Sequence, residues 1–271
     1  MQDSFKVIFI GDVIGRPGRE IIKKVLKGLV KKHNALFVIA NAENSASGFG
    51  ITEKVARDLF SLGIDVLTLG NHSFDKKESE NFIDSEPKIV RPLNLSPYAP
   101  GRGYIIVEKD DIKLCVVNLI GKVFMEQYDS PFLAIERYLT DITAKTNNIV
   151  VDFHAEATSE KKALAFFLDG KVSAIIGTHT HVQTADETVL KYGTAFITDV
   201  GMTGSFDSVI GNRVEDVLER FVRGVPRKLE VATGDVRISF VVITIDKKTG
   251  KALDIERYCK KIPEEEDEIT S

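Results

Sequence analysis

The chain of 271 residues contains no tryptophan, two cysteines and three methionines. Cys115 and Cys259 cannot build a disulfide framework, and neither belongs to a CxxC pair. Disulfide-stapled scaffolds and thiolate metal clusters are therefore excluded. Both cysteines are expected to be buried strand residues in a reducing cytoplasm. Long apolar runs are also missing. The apolar start at residues 5–10 is broken by Gly11 and Asp12. It is too short for a signal peptide, and no run approaches the roughly 20 residues a membrane helix needs. No membrane partner is expected. Nor is there a basic surplus: the net charge is -4. That excludes a general binder of duplex nucleic acid and leaves small anionic substrates open.

Apolar material is plentiful, at 43% of residues, enough for a sizeable core. In the first half, short β-branched runs alternate with amphipathic segments. Residues 6–10, 36–40 and 66–69 read as strands. Residues 20–32 read as a helix, with Ile21, Ile22, Val25, Leu26, Leu29 and Val30 on one face. Thr52 caps a helix that Gly63 stops. Asp75 and Glu78 form a capping-box pattern for another. Residues 103–108 and 113–118 flank a hairpin turn at residues 109–111. A helix at 132–145, a strand at 149–153, a helix at 159–168 and a strand at 172–176 follow. Thr158 or Ser159 would cap the second of these helices, with Glu160 in its first turn. The close is strand-rich, at 195–198, 235–245 and 252–257, with one helix at 214–222. It predicts a second sheet packed on the first, with helices outside, in one α/β domain over residues 1–262. Residues 263–271 read as an acidic, solvated tail.

Each polar cluster follows a strand, where open α/β sheets place their sites. The clusters are Gly11-Asp12, Asn41-Ala42-Glu43-Asn44, Gly70-Asn71-His72, His154-Ala155-Glu156 and His179-Thr180-His181. They hold four of the five histidines. His33 instead closes a helix, where a cation suits the dipole. Each residue alone has an ordinary reading: Asp12 as a helix cap or turn residue, Asn71 as a turn residue, Glu43-Asn44 as loop surface. Alternation would set His179 and His181 on one strand face. Gly48 and Gly50 shape a turn, while Gly201-Met202-Thr203-Gly204 is either a turn or a set of amides aimed at a phosphate. Taken together, the clusters form a donor set of carboxylate and amide oxygens and imidazole nitrogens. Such a set suits iron, manganese or zinc. Asp12, Glu43, Asn44, Asn71, His154, His179 and His181 offer seven ligands, enough for two ions that share one carboxylate.

These motifs resemble the YmdB-like branch of the calcineurin-like metallophosphoesterases. The similarity runs from the opening residues 9–19 through the stretches at 41–44, 70–72, 154–161 and 177–186 to the stretch at 198–204. It implies a four-layer αββα sandwich and a centre of two divalent or trivalent ions, usually iron or manganese. By the same resemblance Asp12, Asn44 and His181 hold one ion, and Asn71, His154 and His179 the other. Glu43 bridges them, and His72 donates the proton. Hydrolysis of 2′,3′-cyclic or 3′,5′-cyclic nucleotides is implied, as is a homo-oligomer. The chain departs from the wider superfamily in lacking a histidine two residues after Asp12 and in having Glu43 where an Asp is usual. Rival readings are a phosphomonoesterase, a metal-sensing regulator and a dinucleotide-binding module. The last is disfavoured because Gly11 to Gly15 does not space as GxGxxG and Asp12 would repel a pyrophosphate.

Overall fold

A computed structural model describes residues 3–126 and 128–261. The acidic tail of the sequence reading lies outside the described residues.

Two sheets face each other. The first runs in the order β5 (Ile89–Val90), β4 (Val66–Thr68), β3 (Ala35–Asn41), β1 (Ser4–Ile10), β13 (Val236–Asp246), β12 (Met202–Ser205) and β2 (Asp12–Val13). A further strand, β14 (Ala252–Lys261), pairs with β13. The second runs β10 (Thr188–Val189), β11 (Ala195–Ile197), β9 (Ala174–Thr178), β8 (Ile149–His154), β7 (Ile112–Ile120) and β6 (Tyr104–Lys109). The helices are α1 (Gly15–His33), α2 (Glu53–Ser61), α3 (Ser79–Ser85), α4 (Pro131–Thr143), α5 (Thr158–Leu168) and α6 (Val214–Arg223).

Alternation along β1 explains the layering. Val7 and Phe9 point inward and meet Leu114, Val116, Val150 and Ile176 of the second sheet. Ile8 and Ile10 point outward onto Ile21, Ile22 and Leu26 of α1. On the far side Val117, Val151 and Phe153 pack under Ile135, Ile142 and Leu164 of α4 and α5. Both faces of the central strands are thus covered, which is why they read as unbroken apolar runs. Each buried side chain of this kind contributes about 1.5–3 kcal/mol. The result is the four-layer αββα sandwich that the sequence predicted.

Several local expectations change. The second sheet comes from the middle of the chain, because β13 and β14 return to the first sheet beside β1. Helix α1 begins at Gly15 rather than at Glu20. Asp75 does not cap α3, which starts at Ser79 after Glu78; its carboxylate is taken by His72. Neither Thr158 nor Ser159 caps α5, since Ala157 occupies that position. The Glu160 carboxylate instead accepts from the backbone N–H groups of Lys122 and Val123. Thr52 and Ser130 do cap, accepting from Val55 N and Leu133 N. Cys115 is buried in β7, but Cys259 is exposed, because β14 has one open face.

Candidate metal centre

The C-terminal ends of β1, β3, β4, β8 and β9 converge at the seam between the sheets. Asp12, Glu43, Asn44 and His154 arrive there almost wholly buried. Around His154 Nε2 lie Asn71 Oδ1 at 3.0 Å, His179 Nδ1 at 3.0 Å and Glu43 Oε1 at 3.1 Å. One ring nitrogen can make one hydrogen bond, so three polar atoms gathered on it are not a hydrogen-bond network. Ligands held at about 2.1 Å by an octahedral ion sit about 3.0 Å apart, which is the spacing seen. The donor atoms of Glu43, His154 and His179 lie within 4.8 Å of one another.

A second group adjoins the first. His181 Nε2 is 3.8 Å from Asp12 Oδ1 and 3.3 Å from the Asn44 amide nitrogen. That nitrogen is 3.1 Å from Glu43 Oε1, so Glu43 touches both groups. Asn44 presents nitrogen inward; a half-turn of the amide would present oxygen. Asp12 Oδ2 accepts from His179 N, while Oδ1 is buried without a hydrogen-bond partner among the described residues. A Cβ on Gly70 would fall on the Glu43 carboxylate and the His154 ring, so only glycine leaves the space between them open.

The histidines share one arrangement. His181 Nδ1 donates to the Ile210 carbonyl at 2.9 Å. His179 Nε2 lies 3.2 Å from the Glu156 carboxylate. His154 Nδ1 meets Thr178 Oγ1 at 2.9 Å, and that hydroxyl donates to Asp152. In all three the outer nitrogen is engaged and the inner one is left with a lone pair toward the cluster. Metal-ligating histidines are oriented in this way. His72 differs: its Nδ1 meets Asp75 Oδ2 at 2.6 Å, and its ring is about one-third exposed.

The charges are strongly interdependent. Burial pushes Glu43 up, but the His154 and His72 neighbours outweigh it and hold the carboxyl low. Burial likewise pushes His154 down, and Glu43, Asp12 and Asp152 reverse it. Burial and the neighbouring His154 lower His179 to about 3. Asp12 is raised, chiefly by burial.

The model of YmdB-like proteins matches residues 8–258. The chain belongs to the YmdB-like family. It is 46% identical over 252 residues to the 2′,3′-cyclic-nucleotide 2′-phosphodiesterase of Bacillus subtilis (strain 168), covering 93% of this chain and 96% of that protein. The crystal structure of a novel phosphatase from Mycoplasma pneumoniae superposes with a TM-score of 0.91 at 36% identity, covering 96% and 95% of the two chains. A hypothetical protein from Thermus thermophilus gives 0.88 at 41%, covering 96% and 100%.

In this family member the structure brings all eight expected residues to one place, by a different local route for two of them. His179 and His181 are not on a strand face. Strand β9 ends at Thr178, and both histidines have positive φ, 98° and 65°. The amides of Gly201 and Met202 do not face a phosphate either. They donate to Asp199 Oδ1 and the His181 carbonyl.

Sequence reasoning missed the supports. Asp152 reaches across the seam to Asn41 Nδ2 at 3.0 Å and to Thr68, tying the second sheet to the first. Burial drives it up to about 7 despite His154 and two hydroxyls. Asp199 pairs with the buried Lys161 at 2.8 Å and accepts from Thr180, which fixes the histidine loop. Tyr128, hydrogen-bonded to Glu126, feels the Glu43 and Asp75 charges; burial first, then these carboxylates, raise its phenol. Lys161 and Asp199 lay within the stretches that carry the family resemblance, and Asp152 showed only as an acid inside an apolar run; Tyr128 gave no signal.

Proposed function

We propose that the chain is a two-cation phosphodiesterase that hydrolyses small cyclic nucleotides, 2′,3′-cyclic ones first. The observation that carries this reading is the set of three histidines whose outer nitrogens are engaged and whose inner nitrogens face buried carboxylates. Asp12, Asn44 and His181 would hold one ion, Asn71, His154 and His179 the other, and Glu43 would belong to both. A set of oxygen and imidazole donors without thiolate suits iron or manganese. When bound, the ions supply hydroxide near neutral pH and offset charge on the phosphoryl oxygens.

His72 performs the proton transfer. Asp75 occupies Nδ1 and leaves Nε2 as the ring atom that would donate to the departing ribose oxygen. His72 N also donates to Glu43 Oε2 at 2.9 Å, so the proton donor and the shared carboxylate are held in one frame. The substrate assignment follows the Bacillus subtilis relative. A 3′,5′-cyclic substrate belongs to the same reading. The second reading, a phosphomonoesterase, is favoured by the Mycoplasma pneumoniae phosphatase.

The test is metal analysis together with turnover of 2′,3′-cyclic AMP and of a simple phosphate monoester, with manganese added. Two ions per chain and preferred turnover of the cyclic ester are expected. Preference for the monoester selects the second reading. Two ions without turnover of either ester would mark a metal-binding regulator, and failure to load metal under any condition would overturn the centre itself.

A further inference from the structure

A groove with a volume of about 730 Å³ lies between β6 and α4, on the rim of the second sheet. Its lining includes Arg91, Arg102, Arg137 and Lys145, against one acid, Asp129. In a chain with a net charge of -4 this is a local reversal of sign. None of the four cations pairs with a carboxylate among the described residues. Arg91 is the clearest case. It is 6% exposed, and its guanidinium donates only to carbonyls, those of Pro92, Ala99, Pro100 and Gly101. These carbonyls take four of its five N–H donors and hold its charge in the groove wall, so Arg102, Arg137 and Lys145 are the cations left to meet an anion. Arg102 likewise donates to a backbone carbonyl, that of Asp84.

Aromatic faces sit among these charges. Tyr104 and Tyr138 pack with ring centroids 5.8 Å apart, and Tyr138 is 39% exposed. Cations that follow a backbone, interleaved with rings on which bases stack, are the working parts of a single-strand nucleic-acid groove.

One end of the groove adjoins the strand beside His154. Asn94, in its lining, donates to the carbonyls of Ile120 and Asp129. Ile120 pairs in register with His154. From this end the lining continues down α4 through Arg137 and Tyr138 to Lys145.

We propose that this groove is a single-stranded RNA subsite. It takes the nucleotides on the 5′ side of a terminal 2′,3′-cyclic phosphate and delivers that terminus to the metal centre. The substrates would then include oligonucleotide ends as well as free cyclic nucleotides. The substrate claim rests on the phosphodiesterase reading; the binding claim does not.

The test uses the full chain, metal-loaded, with fluorescein-labelled hexaadenylate carrying a 3′-phosphate, read by anisotropy across a salt series. Saturable binding is expected. Three phosphate contacts, at Arg102, Arg137 and Lys145, give a log–log salt slope of about -2, at about 0.7 per contact on a single strand. Arg137→Glu should weaken binding about tenfold and flatten the slope by at least about 0.7. Tyr138→Ala should weaken it about tenfold while leaving the slope unchanged. Turnover of 2′,3′-cyclic AMP should be the same in both variants, and thermal melts check that both are folded. Hexaadenylate ending in a 2′,3′-cyclic phosphate should be cleaved with a higher kcat/KM than the mononucleotide, an advantage lost in Arg137→Glu. No binding by the unaltered chain, unchanged binding by folded variants, or equal competition by polyglutamate would each overturn the RNA subsite. Equal kcat/KM for oligonucleotide and mononucleotide would overturn its role in turnover. Binding with the expected salt slope but no hydrolysis of any cyclic ester would uphold the groove and remove the phosphodiesterase reading instead.

Discussion

His72 has one ring nitrogen to offer because Asp75 holds the other. Replacing His72 by Ala removes the proposed proton donor but no proposed ligand. The expected result is a loss of about 10²–10⁴ in kcat with two ions still bound, measured by steady-state kinetics and metal analysis on the same preparation. Asp75→Asn keeps an acceptor for Nδ1 but loses the charge-assisted hydrogen bond that orients the ring, so it should lower kcat with little change in KM. Turnover equal to that of the unaltered chain would remove Asp75 from the mechanism. Asp12→Asn and His179→Ala should lose metal together with activity. The two cysteines divide by burial. Cys115 is buried, which pushes its thiol up to about 12, whereas Cys259 is exposed. Alkylation of the folded protein at pH 8 should therefore add one adduct, located at Cys259 by peptide mass mapping.

Between elements, the loop after β9 shows where sequence patterns stop being informative. A His-x-His spacing reads as strand alternation, yet both histidines take positive φ. No glycine marks either position; the conformation is imposed by Asp199, Asp12 and Ile210 from other segments. The capping pattern at Asp75 fails for a related reason, since a partner three residues away claims the carboxylate. The amphipathic periods of α1, α2 and α4, and the strands ending at the site, were legible because burial repeats along one segment. Lys161 belongs to this scale. Lys161→Met would leave Asp199 buried and unpaired, at a cost of about 3–5 kcal/mol in a denaturant titration. His33, packed between Phe240 and Tyr258, joins α1 to β13 and β14. Burial and the nearby Lys32 and Lys260 lower its pKa. In the unfolded chain it titrates near 6.5. Below that pH the unfolded state binds the extra proton, so the stability contribution is full above about 6.5 and falls as pH drops toward the lowered folded value. His33→Gln should flatten the melting temperature between pH 6.5 and 5.

Across the whole molecule, periodicity revealed two packed sheets with helices outside and five strand-end clusters, and the family resemblance implied the four layers, but neither told which strand joins which sheet. Pairing is decided by partners far apart in sequence, as when β1 is flanked by β3 and by β13. Asp152, bonded to Asn41 across the seam, makes the site and the docking of the sheets a single unit. Removing the proposed ions would leave Asp12 and Glu43 buried together. Chelation should therefore lower the melting temperature of the folded protein, and manganese should restore it in proportion to the ligand excess. An unchanged melt would separate the centre from the fold.

The way β1 is enclosed has a consequence for how the centre is made. Asp12 stands two residues beyond β1, a strand whose neighbour on one side is β13, beginning at Val236. Its cluster partners extend to His181, and the loop that carries them is held by Asp199. A ribosome that has released the first two hundred residues has released every donor, yet not the strand that closes the sheet around the first of them. Capture of the proposed ions would then come late in the life of each molecule, once nearly the whole chain has left the exit tunnel. Truncated or stalled products would remain metal-free, and so would be silent as enzymes.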